Sequence, residues 1–260
     1  MGAIGVFDSG IGGLSVLKVL RHSLPQESFV YFADGAYRPY GEKTEDQIRS
    51  RSQSIIQWLI QRGVKLIVVA CHTSSAVLDD LSLTIPVITM ISPSLESVFS
   101  RSFTKGLGVI ATALTASKGT LVNQLTQRGF SYPIHVYACP ELVPLIEDQQ
   151  WLQAQDSMNH SLTLVRNLCV DYILYGCTHY PLLDSFLDQE VRGLMIDPAE
   201  HVTHLIQTSL SQGKLAPNTP HNEQGQLTLY HTGAPHALTP HLSRLGWQWQ
   251  EMKAITLPAF

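Results

Sequence analysis

Apolar residues follow two rhythms along this chain, and the rhythms alternate. Continuous apolar runs at residues 3–7, 29–32, 65–70 and 87–91 read as buried strands. Between them, Leu14, Val16, Leu17 and Leu20 form a helical stripe that ends near Pro25. Ile48, Ile55, Ile56 and Leu59 form a second stripe over residues 45–62, stopped by Gly63. The plan then repeats. Strands are expected at 108–111, 134–137, 171–175 and 194–196. Helices are expected at 116–128, at 141–165, shortly after Pro181 and after Ile196. Residues 213–225, with Pro217 and Pro220, read as a linker. A strand at 226–231, a helix at 235–245 and an edge strand at 247–256 close the pattern.

Strands without polar alternation, each followed by a helix, predict mainly parallel sheets covered on both faces. The chain has 260 residues, which suits two domains of about 100 to 150 residues. The fold class is therefore α/β, with two similar three-layer α/β/α domains facing each other across a cleft. The first takes residues 1–92 plus 213–260 and carries Asp8 and Cys71. The second takes 93–212 and carries Glu147, Cys177 and His179. The join is expected near Ser92–Pro93. The tail returns to the first unit because it is too short for a core of its own. Ligands of such units bind beyond the carboxyl ends of the strands.

Composition narrows the function classes. The net charge is −4 and no basic block stands out, so nucleic acid has no electrostatic footprint here. No run approaches eighteen apolar residues, which argues against a membrane span. The N-terminal apolar run lacks a preceding basic region and reads as a first strand rather than a signal peptide. A cytoplasmic location is expected, where the four cysteines need not pair. Cys169, between Leu168 and Val170, reads as a buried apolar residue; Cys139, before Pro140, is ambiguous.

Two strand ends carry the chemistry. Ala70-Cys71-His72-Thr73-Ser74 and Gly176-Cys177-Thr178-His179 each place a cysteine beside threonine and histidine after an apolar run. Two such thiols, facing across a cleft, suit removal of a proton from one face of a carbon and its return on the other. A helix following each would stabilise its thiolate. His179 suits an acid-base partner for a thiolate. Zinc held by the two Cys-His pairs stays open, although neither segment has the usual ligand spacing. Asp8 and Ser9 follow the first strand and lead into Gly10-Ile11-Gly12-Gly13, a turn whose amides suit an anion. It lacks the spacing and the Lys-Ser/Thr ending of nucleotide loops. Tyr40 and Gly41, after Pro39, can present a hydroxyl and an amide; Arg38 can pair with Asp34 or with a substrate carboxylate. Glu147 reads from composition as a solvated helix carboxylate. His201, His204, His221, His231, His236 and His241 lack metal-like spacing and read as surface or packing residues.

The segments Gly5-Val6-Phe7-Asp8-Ser9-Gly10-Ile11-Gly12-Gly13-Leu14, Pro39-Tyr40-Gly41, Ala70–Ser74 and Gly176-Cys177-Thr178-His179-Tyr180-Pro181-Leu182-Leu183 together resemble the bacterial glutamate racemase family, of the cofactor-independent aspartate/glutamate racemase superfamily. Asp197-Pro198-Ala199-Glu200 and Thr232-Gly233 also fit. The Cys-Thr-His element favours the glutamate branch over aspartate racemases, which usually carry an acidic residue in place of the histidine. The resemblance implies interconversion of L- and D-glutamate without pyridoxal phosphate, other cofactor or metal, supplying D-glutamate for peptidoglycan. Cys71 would handle the proton of the D-enantiomer and Cys177 that of the L-enantiomer. Asp8, His179 and Glu147 would assist them. Ser9, Tyr40, Gly41, His72, Thr73 and Thr178 would hold the substrate, with Thr112 and Thr115 nearby. A homodimer with no nucleic-acid or membrane partner is implied.

The chain departs from that pattern twice. His72 stands where the family usually has a substrate-contacting asparagine. The loop that usually reads Gly-Asp-Thr-Ala-Arg reads Ala33-Asp34-Gly35-Ala36-Tyr37-Arg38 and loses a hydroxyl. Alternatives at this stage are racemisation of another acidic amino acid such as aspartate, and a non-catalytic relative that binds an amino acid.

Overall fold

A computed structural model describes residues 2–78, 83–217, 225–234 and 238–257. Its strands, in chain order, are β1 (Ile4–Asp8), β2 (Phe29–Ala33), β3 (Leu66–Val69), β4 (Val87–Thr89), β5 (Leu107–Ala111), β6 (Ile134–Ala138), β7 (Tyr172–Gly176), β8 (Met195–Ile196), β9 (Leu227–His231) and β10 (Glu251–Ala254). They build two wholly parallel sheets, ordered β10-β9-β2-β1-β3-β4 and β6-β5-β7-β8. The helices are α1 (Leu14–Ser23), α2 (Glu45–Gln61), α3 (His72–Val77), α4 (Ile91–Phe99), α5 (Ala113–Lys118), α6 (Thr120–Gln127), α7 (Leu142–Glu147), α8 (Trp151–Arg166), α9 (Gln189–Leu194), α10 (Ala199–Ser211) and α11 (Leu238–Arg244). They cover the sheets as two α/β/α units of similar plan.

Local chemistry explains the main elements. Every residue of β1, β3 and β5 is buried, which a parallel strand covered on both faces requires. Helix α1 buries Leu14, Val16, Leu17 and Leu20, the stripe read from the sequence. Helix α2 opens on a capping box between Thr44 and Gln47 and buries Ile48, Ile55, Ile56 and Leu59.

Several expectations give way. The helix expected at 116–128 is two helices, α5 and α6, parted at Gly119, which is left-handed at φ 68°. The segment 141–165 is likewise broken between α7 and α8, where Gln149 has φ 58°. Ser92 and Pro93, expected in a join, lie in the first turn of α4, where proline is tolerated. The element at Pro181 is a 3-10 turn, Tyr180–Phe186. Cys169 is exposed rather than buried, because α8 ends at Arg166 and the chain turns at Cys169 with φ 56°. The late helix is described from Leu238 onward. His221, His236 and Pro220 lie outside the described residues.

In each sheet the chain starts at a central strand, adds a neighbour on one side, then crosses to the other. The reversals fall between β1 and β3 and between β5 and β7. Loops diverge at such points and leave a crevice beyond the carboxyl ends. Asp8 ends β1, Cys71 follows β3, Thr112 follows β5 and Cys177 follows β7.

Candidate active site

One small cavity, about 50 Å³, gathers loops from both sheets. Cys71 and Cys177 line it with Ser9, Tyr40, Gly41, His72, Thr73, Thr178 and His179. Thr112, Ala113, Pro140 and Val143 contribute the remainder of its second-sheet wall. Asp8 and Glu147 stand behind this lining, buried, each bonded to a residue that reaches the cavity.

The first thiol is buried. The Cys71 thiol donates to the Ser9 hydroxyl at 3.8 Å. Burial pushes its pKa up to about 11, helped by the charge of Asp8 and opposed by the Ser74 amide. The thiolate stabilisation expected from a following helix is outweighed here by desolvation. Asp8 accepts from the Gly10 amide at 2.8 Å and from the Thr178 hydroxyl at 3.0 Å. Burial raises its pKa, while His179 and those donors oppose the rise.

The second thiol sits in a charged relay. His179 Nδ1 lies 3.7 Å from Cys177 Sγ, and its Nε2 lies 2.7 Å from Glu147 Oε1. Burial alone would lower the histidine's pKa. Hydrogen bonds and charge from Cys177 and Glu147 overcome it and raise the pKa well above the usual value. The ring is thus an imidazolium beside the sulfur. Glu147 also accepts from the Ile11 amide at 2.8 Å and pairs with Arg38 at 2.7 Å. Burial opposes its ionisation, but His179, Arg38 and the Ile11 amide hold its carboxyl below the usual range. The solvated-carboxylate reading of Glu147 is therefore overturned by its burial at the interface of the two units. Cys177 is followed by a 3-10 turn rather than by the α-helix expected there.

Arg38 pairs with Glu147 rather than with Asp34. Asp34 is taken by Arg51, through contacts of 2.7 and 2.6 Å, and by the hydroxyls of Tyr40 and Thr232 at 2.6 Å each. This network fixes the loop that presents Tyr40 and Gly41. Thr73, Thr112 and Thr115 join hydroxyls across the two units, with 3.0 Å between Thr73 and Thr112 and 2.9 Å between Thr112 and Thr115. His72 contacts the Ser94 hydroxyl at 3.2 Å, and burial pushes its pKa down to about 3. His72 and His179 thus turn to different partners. Among the described residues no cluster of His, Cys, Asp and Glu could hold a metal ion.

Sequence reasoning missed Arg51, Ser94 and the Arg38–Glu147 pair. Nothing local marks them, since each partner is distant in sequence. Thr112 carried a usable signal: it is the first polar residue after a buried strand, as Asp8 almost is.

Two buried thiols on one cavity, each delivered from the reversal point of a parallel sheet, define a two-base proton-transfer site. A family profile described as Asp/Glu/Hydantoin racemase matches residues 9–206. Glutamate racemase 3 of Caldanaerobacter subterraneus is 34% identical over 87% of this chain and 84% of its own length. The crystal structure of a glutamate racemase isoform from Bacillus anthracis superposes with a TM-score of 0.87 at 27% identity, covering 100% of this chain and 99% of that one. The Francisella tularensis glutamate racemase, solved in complex with D-glutamate, gives a TM-score of 0.86 at 28% identity, over 98% and 97% of the two chains. The chain belongs to the Asp/Glu/hydantoin racemase family, in its glutamate racemase branch.

Proposed function

We propose that the protein interconverts L- and D-glutamate by cofactor-independent transfer of the α-proton between Cys71 and Cys177, supplying D-glutamate for peptidoglycan. The observation that carries this reading is the pair of buried thiols on one cavity with unequal surroundings. Cys71 is a thiol at neutral pH, and an imidazolium stands beside Cys177. From L-glutamate, the Cys177 thiolate takes the α-proton and the Cys71 thiol returns its own to the opposite face. This leaves Cys177 as thiol and Cys71 as thiolate, which is the state that accepts the proton of D-glutamate. Solvent exchange, or the reverse reaction, restores the starting state.

The other residues act on this transfer. His179, oriented by Glu147, holds charge opposite the Cys177 thiolate. Asp8 places the Thr178 hydroxyl and sets the field around Cys71. Ser9, Tyr40, Gly41, His72, Thr73 and Thr178 bind the substrate. Hydroxyls and amides preorganised around its α-carboxylate offset the negative charge that grows there as the proton leaves. A closed cavity excludes water and keeps the reacting atoms in line.

The proposed division places residues 1–92 and 213–260 in the first unit and 93–212 in the second; the separate sheets β10-β9-β2-β1-β3-β4 and β6-β5-β7-β8 support two such units, and the first boundary falls within α4. The functional form is a homodimer in the cytoplasm, with no nucleic-acid or membrane partner; sedimentation at several concentrations tests its size. Among the described residues no helix is long and apolar enough to cross a membrane. The activity is tested by incubating purified protein with D-glutamate in deuterium oxide. L-glutamate and α-deuterium should both accumulate, and Cys71→Ala and Cys177→Ala should each abolish racemisation. Turnover equal to that of the variants would sink the reading, and a faster reaction with aspartate would reassign the substrate.

A further inference from the structure

Ser15 is buried in the first turn of α1, and its Oγ lies 2.8 Å from each of two carbonyl oxygens. One belongs to Gly12 in its own unit, the other to Thr178 in the second unit. A hydroxyl has one proton to give. The Gly12 carbonyl already accepts from the Ser15 amide at 3.0 Å. The Thr178 carbonyl lacks its turn donor. In the 3-10 turn that follows, the Leu182 N–H donates to the His179 carbonyl at 3.1 Å. One residue earlier, the same pattern would serve Thr178 from Pro181, which has no N–H. A buried carbonyl left unmet is costly, so the hydroxyl proton goes to Thr178.

Thr178 stands between Cys177 and His179, and its carbonyl shares one planar peptide with the His179 nitrogen. Fixing the oxygen fixes that plane, and with it the root of the His179 side chain. The Thr178 hydroxyl is fixed as well, on Asp8 at 3.0 Å. The first unit thus grips this residue at two points. Gly12 adds a third contact, since it lies against the His179 ring. Ser15 therefore ties the turn on which the ring rests to the peptide that carries it. Its own side chain is not part of the cavity lining. We propose that Ser15 is a positioning residue for the second thiol: its hydroxyl, given across the unit boundary to the Thr178 carbonyl, holds His179 Nδ1 at its 3.7 Å contact with Cys177 Sγ. This rests on the two-thiol glutamate reading above. The effect is one-sided, because Cys71 meets Ser9 rather than the 178–179 peptide.

The reaction comprises one proton transfer at each thiol, so a fault at one thiol leaves a signature. A higher barrier at Cys177 makes that transfer more fully rate-limiting in both directions. α-Deuterated L-glutamate gives up its deuteron at Cys177, and α-deuterated D-glutamate gives it up at Cys71. In Ser15→Ala, kcat should fall about tenfold or more, as for a displaced reacting group. KM should stay within about twofold, because no substrate contact is removed. The α-deuterium isotope effect on kcat/KM should rise from L-glutamate and fall from D-glutamate. A smaller folded fraction changes neither isotope effect, so the pair reads position rather than stability. Ser15→Thr, which keeps the hydroxyl, should recover most of the rate. An unchanged kcat, or isotope effects that stay put or move the same way for both enantiomers, overturns the assignment. Absence of racemisation by the unaltered protein overturns the glutamate reading itself. Racemisation by the unaltered protein with unmoved isotope effects in Ser15→Ala removes only the present inference.

Discussion

Nε2 of His179 lies 2.7 Å from Oε1 of Glu147, so the imidazole beside the second thiol is oriented by a buried carboxylate. Glu147→Gln preserves the shape of this contact and removes its charge. Two of the causes that raise the His179 pKa then weaken, and that pKa falls. The charged ring is lost at a lower pH, and the Cys177 thiolate loses its counter-charge. At neutral pH, kcat/KM should drop about tenfold or more in both directions. The alkaline limb of the pH–rate profile should move to lower pH. An unshifted profile, measured by chiral chromatography of timed samples, would contradict the relay.

Arg38 comes from the loop after β2, and Glu147 ends α7, so their 2.7 Å pair ties the two units together. Arg38→Ala should cost about 1–2 kcal/mol at neutral pH. The size is discounted for the partial exposure of Arg38 and for the partners Glu147 keeps. The folded pKa of Glu147 lies below its ordinary 4.5. Its contribution is present above 4.5 and is lost as pH falls through the folded value. Urea denaturation should therefore show the deficit at neutral pH and a shrinking one in stronger acid. A deficit independent of pH would point to lost packing instead.

Gly12 lies against the His179 ring, and a Cβ there would overlap its Nδ1 and Cε1 atoms. Gly12→Ala must push the imidazole from its line between Cys177 and Glu147. Displacement on the scale of an ångström costs roughly a hundredfold in rate. The circular dichroism spectrum should stay native while turnover falls by that order. Native turnover in the alanine variant would show that the ring position is not critical.

His72 links burial to acid stability. Its ordinary pKa is 6.5 and its folded pKa is about 3. The folded state therefore binds this proton less readily than the unfolded chain. The stability is complete above 6.5 and is lost as pH falls toward about 3. His72→Asn removes that dependence. The difference in unfolding free energy between the two proteins should change over this window and be flat above it. Parallel acid-unfolding curves would show that the histidine is hydrated or charged in the fold.

Much of this architecture was legible from local pattern. The strands fall within a residue or two of the apolar runs, except β10, which starts at Glu251 rather than at 247; a parallel strand buried on both faces has no polar position to interrupt it. Periodicity did not see the breaks at Gly119 and Gln149, since a single left-handed residue leaves the apolar spacing almost unchanged. Leu168-Cys169-Val170 looked like core for a related reason. Apolar neighbours signal burial only while the element continues, and α8 stops at Arg166.

The sequence by itself determined the alternation of strand and helix, and with it the position of both thiols at strand ends. Those properties depend on neighbours a few residues apart. Only the tertiary structure decided the partnerships: Arg38 with Glu147, Asp34 with Arg51, His72 with Ser94. Each pairing depends on where the chain reverses within a sheet and on how the two units meet. Charges and donors can be read along a chain, but their energies are set by whichever group folding brings within about 3 Å and by how much water is excluded.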